Sequence, residues 1–403
     1  MATHALASKL DALAERLSTA AQQLRLGTIS LENDTHERMG LVMAGIGLAD
    51  MVSQPKDKML LPLIQFAHFT AVRMFIKWKA FEKIPLADDA AISYGELAAQ
   101  LGADISLITR FGGCLVANGT LRQIGTDKIA HTELSKCYAS ENPIWAMVHL
   151  GFDSQLPSFV AMPRYFDHFG MVEPTDRLQT VYAFAEDQLG STVWEIIRKD
   201  ELRLKTSTLA MGGVEEHLPA LGSYDLGWAV QAAANSADRP LVVDVGGGKG
   251  QALKSIFAAT PGLPRHRCVL EDLAEVIEAS KDDAELADVK KLAIDFHKEQ
   301  PVKGALVYYM RRCLHDYSDE ECVGVLQHIS SAMAADSKLL IVETLMTNPP
   351  SPLQAAMDLM MLTFSGKERT LEGFKAITGR AGLKITGVSE IPGFNAVIEC
   401  GLA

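Results

Sequence analysis

Cysteine is scarce in this sequence: Cys114, Cys137, Cys268, Cys313, Cys322 and Cys400 are the only six in 403 residues, and no two have C-x-x-C spacing. A disulfide framework and a zinc module both need closely grouped cysteines, so neither is expected. Several of the six lie in apolar runs, where cysteine serves as a small hydrophobe. Positive charge is also in short supply, with 38 basic against 50 acidic residues and a net charge of −12. Phosphate binding needs a basic face, so a nucleic-acid partner is disfavoured. The N-terminal stretch has no basic segment leading into an apolar core, and no uninterrupted apolar run reaches membrane length. A cytoplasmic protein without a membrane partner is therefore expected. Internal repeats and low-complexity segments are missing too.

What is present is the mix of a soluble globular protein, 48% hydrophobic and 22% charged, long enough for two or three domains. The stretch Leu241-Val-Val-Asp-Val-Gly-Gly-Gly-Lys-Gly250 organises it. A β-branched run ends in an acid and a glycine-dense turn, and Gln251–Phe257 continues as a helix. Glycines let the backbone approach a ligand closely, and the helix start offers free N–H groups. A Walker A loop is excluded, because Val243 stands where its first glycine belongs. The dinucleotide fingerprint is excluded as well, because Gln251 takes the third glycine place. The remaining D-x-G-x-G-x-G of Asp244, Gly246, Gly248 and Gly250 resembles motif I of S-adenosyl-L-methionine (SAM) methyltransferases.

Along the chain, residues 1–85 read as apolar helices near Thr3–Leu24, Arg38–Val52 and Leu61–Phe81. Their stripes must cover the protein's own core or a second copy. In residues 86–140, Ser93 and Glu96 form a capping box ahead of one helix, and Ile105–Ala117 form a second. The runs Leu121–Ile124 and Lys128–His131 pair as a hairpin. That is a winged-helix pattern, but its second helix carries Arg110 as its only base, so a structural module is preferred over a DNA reader. Residues 141–237 are helical and rich in aromatics and methionines, core material that can also line a greasy pocket. Residues 238–403 alternate strand and helix, the pattern of a Rossmann-like, doubly wound parallel sheet in an α/β fold.

Ligands of such sheets sit beyond the strand C-termini, so acids and bases there deserve the chemical roles. The second strand ends in Glu271-Asp272; Asp272 is the better acceptor for ribose hydroxyls, with Glu271 its neighbour and helix capping its bland reading. Asp295 and Phe296, after a third strand, suit the flanks of an adenine. His315 follows the fourth strand and precedes the N-cap Ser318. A histidine placed there can take a hydroxyl proton near neutral pH, which transfer of a methyl group to oxygen requires. Glu343, at a strand end, and Glu368, before a helix, are placed to orient its ring; each alone also reads as a helix-end charge.

Together, Asp244–Gly250, Asp272–Ile277, His315–Cys322 and Gly366–Thr370 resemble the plant caffeate/isoflavone-type O-methyltransferases, the fungal natural-product branch above all. The resemblance is strong over 240–400 and looser before it. It implies a SAM-binding enzyme without a metal, with His315 as base, Glu343 and Glu368 as helpers, and a small natural product as substrate. It also implies that Arg311 stands where plant members keep a cofactor-side Lys, and that Arg312 replaces an aromatic. Members of the family are homodimers joined through N-terminal helices. Some fungal members bind SAM but catalyse pericyclic reactions or dehydration instead. In the leporin enzyme an Arg replaces the family His beside an Asp, and a second His comes from the helical region. Here the His is kept, beside Asp316, while His149 falls where that second His would lie. Methyl transfer to a phenol or enol is thus the expected activity, and a methyltransferase-like pericyclase the alternative.

Overall fold

The computed structural model describes residues 2–31, 34–88, 90–216, 220–236, 238–390 and 395–403. The first helices, Ala2–Arg25 and Thr35–Val52, pack on one another and leave Val42, Met43 and Ile46 exposed. The apolar stretch Pro55–Lys77 is, by averaged length and composition, able to cross a membrane. Gln65, His68, Thr70 and Arg73 interrupt its apolar run. The C-terminal half of its helix, Leu61–Lys77, buries Ala71, Val72, Phe75 and Ile76 in the protein's own core. The helix expected to reach Phe81 stops earlier, because Lys79 turns left-handed at φ 55° and the chain restarts as Ala80–Lys83.

The next two helices and the hairpin fall where the sequence places them. Strand β1 (Ile92–Ser93) leads into helix Tyr94–Leu101, whose N-cap Ser93 and Glu96 exchange hydrogen bonds as a capping box. Asp104 caps helix Ile105–Ala117, and β2 (Leu121–Ile124) and β3 (Lys128–His131) form the hairpin. The antiparallel order is β1-β3-β2, packed over Phe75, Phe81, Leu97, Ile108 and Leu115. A helical region follows. Helix Pro143–His149 runs through a π-helical turn, Leu150–Gln155, into Leu156–Phe169, and helix Glu201–Glu216 packs back onto the first of these. Contact there is so close that a Cβ at Gly213 would overlap the Pro143 ring.

The C-terminal half carries β4 (Val242–Val245), β5 (Cys268–Asp272), β6 (Lys290–Ala293), β7 (Val307–Arg311), β8 (Lys338–Thr344), β9 (Leu383–Glu390) and β10 (Asn395–Leu402). Their order is β6-β5-β4-β7-β8-β10-β9. Five strands are parallel, but β10 runs antiparallel to both β8 and β9, so the sheet is mixed where a parallel one is expected. The reason is chain length: parallel strands need a crossover, and only 391–394, outside the described residues, connect β9 to β10. Alternate residues of the central strands enter two separate cores, such as Tyr308 and Ile341 on one face and Tyr309 and Val342 on the other. Apolar on both faces, the sheet needs helices on both. The chain winds outward from β4 to β6 and then returns to β7 beside β4, and that reversal opens a crevice at the strand ends. This is an α/β fold with a helical N-terminal region.

Candidate active site

Backbone bonding shapes the turn after β4. The N–H groups of Gly246 and Gly247 donate to the Glu271 carbonyl at 2.9 and 3.0 Å, and Gly248 N–H donates to Asp272 Oδ2 at 2.8 Å. Gly246 and Gly250 hold φ of 69° and 81°, values that side-chain-bearing residues avoid. At Gly247 a Cβ would run into Asp244 and Leu270, so the turn closes only on glycine. Asp244 is enclosed beneath it, 1% exposed. Asp272 also accepts from Leu273 N–H at 2.7 Å, and burial raises its carboxyl despite these two donors. Each of its oxygens keeps lone-pair capacity for a hydroxyl.

Beyond β6, Asp295 accepts from His297 N–H at 3.1 Å and pairs with Lys298. Burial works against its charge, but these bonds hold it below the usual range. Phe296 packs beside Gly246 and meets Tyr317 edge-on. Arg311, at the end of β7, is buried at 8% exposure. Cys313, which sequence reading passes over, lies against the same turn with Sγ 3.7 Å from the Gly246 carbonyl.

His315 stands on a short 3-10 turn directly after β7 and is 6% exposed. Its Nδ1 lies 3.0 Å from Glu368 Oε1 and 3.8 Å from Glu343 Oε2; its Nε2 lies 3.6 Å from Asp316 Oδ1. Glu343 Oε1 accepts from the N–H groups of Leu314 and His315 at 3.0 and 3.4 Å. Glu368 is held in turn by its own N–H donating to Asp358 at 3.0 Å. Arg369, buried at 3% exposure, ties the turn down by donating to the Leu314 and Tyr317 carbonyls at 2.8 Å each. Asp358 and Arg369 carry no local signal in the sequence; only the tertiary register brings them here.

The electrostatics assign the proton. Burial opposes the Glu368 charge, but the His315 hydrogen bond and the charges of Arg312 and Arg369 hold its carboxyl below the usual range. An ionised carboxylate only accepts, so Nδ1 carries the hydrogen and Nε2 offers its lone pair. Burial pulls the His315 pKa down, yet Glu343 above all, with Asp316 and Glu368, leaves it raised. Burial likewise lifts Asp316 to about 6, against the pull of His315. Ligand atoms of His315, Glu343 and Glu368 all lie within 4.8 Å of one another, a spacing that a cation could bridge. The Nδ1 contact with Glu368 occupies the nitrogen such an ion would need.

His149 stands in a different cluster. Its Nδ1 lies 3.0 Å from Asp153 Oδ2, and Trp145 packs on its ring at 4.3 Å. Arg73, eighty residues away, grips Asp153 through Nε at 3.0 Å and Nη2 at 2.8 Å. The Nε2 of His149 is buried and makes no hydrogen bond. This cluster borders a cavity of about 400 Å³ that Phe152, Pro157, Arg203 and Thr206 also line, and none of the His315 group takes part in that lining. The i,i+4 spacing of Asp153 from His149 is a legible signal of the pair; Arg73 gives none.

Residues 182–384 match the model of the O-methyltransferase domain family. The methyltransferase cfoD of Aspergillus candidus is 37% identical over 96% of this chain and 99% of its own length. Among solved structures, OxaC in complex with SAH and oxaline superposes with a TM-score of 0.85 at 22% identity, covering all of both chains. LepI with SAM superposes at 0.79 and 21% identity, over 96% of this chain and 99% of that one. At such identities the structures show a shared fold, whereas the family model and the closer relative show kinship. The chain belongs to the family of SAM-dependent O-methyltransferases.

Proposed function

We propose that His315 is the general base for methylation of a phenol or enol hydroxyl on a small natural product. The observation that carries this is the 3.0 Å contact of His315 Nδ1 with ionised Glu368, which leaves Nε2 to receive the hydroxyl proton. Glu343 fixes the backbone of the turn and, through its charge, strengthens the base. SAM, when bound, supplies a methyl group on a sulfonium. The turn of Gly246, Gly248 and Gly250 fits such a nucleoside ligand, because a side chain at Gly248 would meet only the tip of Gln251, at 3.5 Å, and no backbone. Asp244 would support the turn from below, Asp272 would hold the ribose, and Asp295 and Phe296 would flank the base. Arg311 would close the cofactor side, and Asp316 would face the acceptor. Incubation with methyl-deuterated SAM and a panel of phenols and enols tests this reading: labelled product should appear in step with S-adenosylhomocysteine.

A second reading has an observation of its own. The buried, unbonded Nε2 of His149, with Nδ1 on Asp153 and Arg73 behind it, offers a lone pair to a substrate hydroxyl, as the pericyclase or dehydratase alternative would use it. One structure of this fold, at 21% identity, is described as a pericyclic reaction enzyme. Substrate rearranged without S-adenosylhomocysteine would mark that activity.

We divide the chain into a dimerising region 1–85, a winged-helix module 86–140, a substrate-lining region 141–237 and the cofactor domain 238–403. The exposed apolar residues Val42, Met43 and Ile46 on one helix and Leu63 and Phe66 on another support a homodimer, since extensive exposed apolar surface is covered in stable proteins. Sedimentation at micromolar concentration should give twice the mass of one chain. All six cysteines are free thiols, which suits a reducing cytoplasm.

A further inference from the structure

Arg312 is the residue of the catalytic turn that the proposed mechanism leaves unused. It follows β7 with φ 55°, a left-handed conformation that strains any residue with a side chain. Its N–H donates to the Val342 carbonyl at 3.1 Å, and its Nη1 donates to Thr344 Oγ1 at 3.0 Å. Thus consecutive residues of β8 serve both groups: Glu343 grips the backbone of His315, and Thr344 steadies the guanidinium of Arg312. Among the described residues Arg312 makes no ion pair, although Asp316, Glu343 and Glu368 are gathered around His315. Its charge nonetheless reaches the cluster, lowering the pKa of His315, Asp316 and Glu368. The side chain is only partly buried. A strained cation beside a base, near carboxylates but ion-paired to none among the described residues, is placed to take an anionic oxygen.

We infer that Arg312 determines the acceptor class: a conjugated hydroxy-carbonyl compound whose conjugate base spreads its charge over two oxygens. The inference rests on the reading of His315 as the base. The acceptor hydroxyl gives its proton to His315 Nε2, and the electron pair stays on the acceptor, shared through conjugation with the carbonyl oxygen. One oxygen faces the methyl donor; the other lies on the guanidinium of Arg312, which offers Nε and Nη2 in a planar fork. A simple phenol has no second oxygen to place there and gains nothing from the charge.

The test uses full-length protein saturated with S-adenosylhomocysteine, so that binding is read without turnover. The probes are two matched pairs: dimedone and its O-methyl enol ether, and 4-hydroxycoumarin and 4-methoxycoumarin. The free hydroxy members are ionised at neutral pH and the ethers are neutral. Calorimetry on the wild type should show the ionised member of a pair binding more tightly. In Arg312→Gln that preference should fall by about 10- to 100-fold, the usual worth of a hydrogen bond to a charged group. Arg312→Lys should keep part of it. Arg312→Gly removes the charge and suits a positive φ, so it keeps the test valid if the Gln variant folds poorly. Failure of either ionised probe to bind the wild type, or a preference that survives in the Gln and Gly variants, overturns the inference. Labelled SAM reports separately on methyl transfer: an ionised probe that binds through Arg312 but takes no label would overturn methyl transfer to this acceptor class and leave the binding site standing.

Discussion

Glu368 and His315 lie 53 residues apart in sequence and meet at 3.0 Å, carboxylate oxygen to Nδ1, within a buried turn. That contact makes the histidine one tautomer rather than two. Replacing Glu368 with Gln keeps the size but lets the ring flip its proton. Turnover should fall by about 10- to 100-fold while the SAM dissociation constant stays within twofold, as steady-state kinetics and calorimetry would show. Equal activity would remove Glu368 from the mechanism.

The pH profile should carry the mark of Glu343. His315 must be neutral to accept a proton, and its pKa is raised, so kcat/KM should climb with pH through a midpoint above that of an ordinary histidine. Arg312 opposes the shift, while Asp316 and Glu368 add to it. Replacing Glu343 with Gln removes the largest raising charge, and the midpoint should move down. The linkage runs in the same sense for stability: a raised folded-state pKa contributes fully below the unfolded value and is lost as pH rises through the folded one. An unmoved midpoint in the variant would mean that the profile reports another group.

Asp272 organises the glycine turn as well as facing the crevice. With Asn there, one of its two backbone contacts exchanges an acceptor for a donor, and Gly248 N–H loses a charged partner. SAM affinity should drop about tenfold or more, with little change in melting temperature, by calorimetry and thermal scans. Unchanged affinity would assign the ribose to another residue.

Glu271 poses a cost that the chain carries for its position. It is wholly buried at the end of β5 with Gln300 at 2.7 Å, and burial raises its pKa to about 7. Protonated in both states below its unfolded value, it costs nothing there; stability falls as pH rises from that value to about 7 and levels off above it. Glu271→Gln should therefore resist denaturant better than the wild type at pH 8.5, by on the order of 3 kcal/mol of unfolding free energy, and show little gain at pH 5. A gain independent of pH would contradict the assignment.

The elements that local chemistry dictates were legible. The run Val242–Val245 is β-branched and caps into glycines, and the hairpin Leu121–Ile124 with Lys128–His131 is flanked by its own turn residues. Strand ends could therefore be named, and with them His315, Glu343 and Asp272. What local sequence does not carry is register between distant segments. Arg73 with Asp153, Glu368 with Asp358, and Arg369 on the Leu314 carbonyl are set by packing alone. The antiparallel β10 was likewise hidden, because its strand pattern is the same in either direction. Lys79 ended a helix without a glycine or proline to announce it.

The most direct measurement follows the methyl group itself. Wild type and His315→Ala, each shown to bind SAM, are incubated with methyl-deuterated SAM and phenol and enol acceptors that are protonated at the assay pH, and read by mass spectrometry. The wild type should yield labelled ether and S-adenosylhomocysteine in equal amounts, and the Ala variant should be about 10²–10⁴-fold slower with its SAM affinity intact. Equal rates in the two proteins, or substrate rearranged by the wild type with no label transferred, would contradict His315 as the base of a methyl transfer.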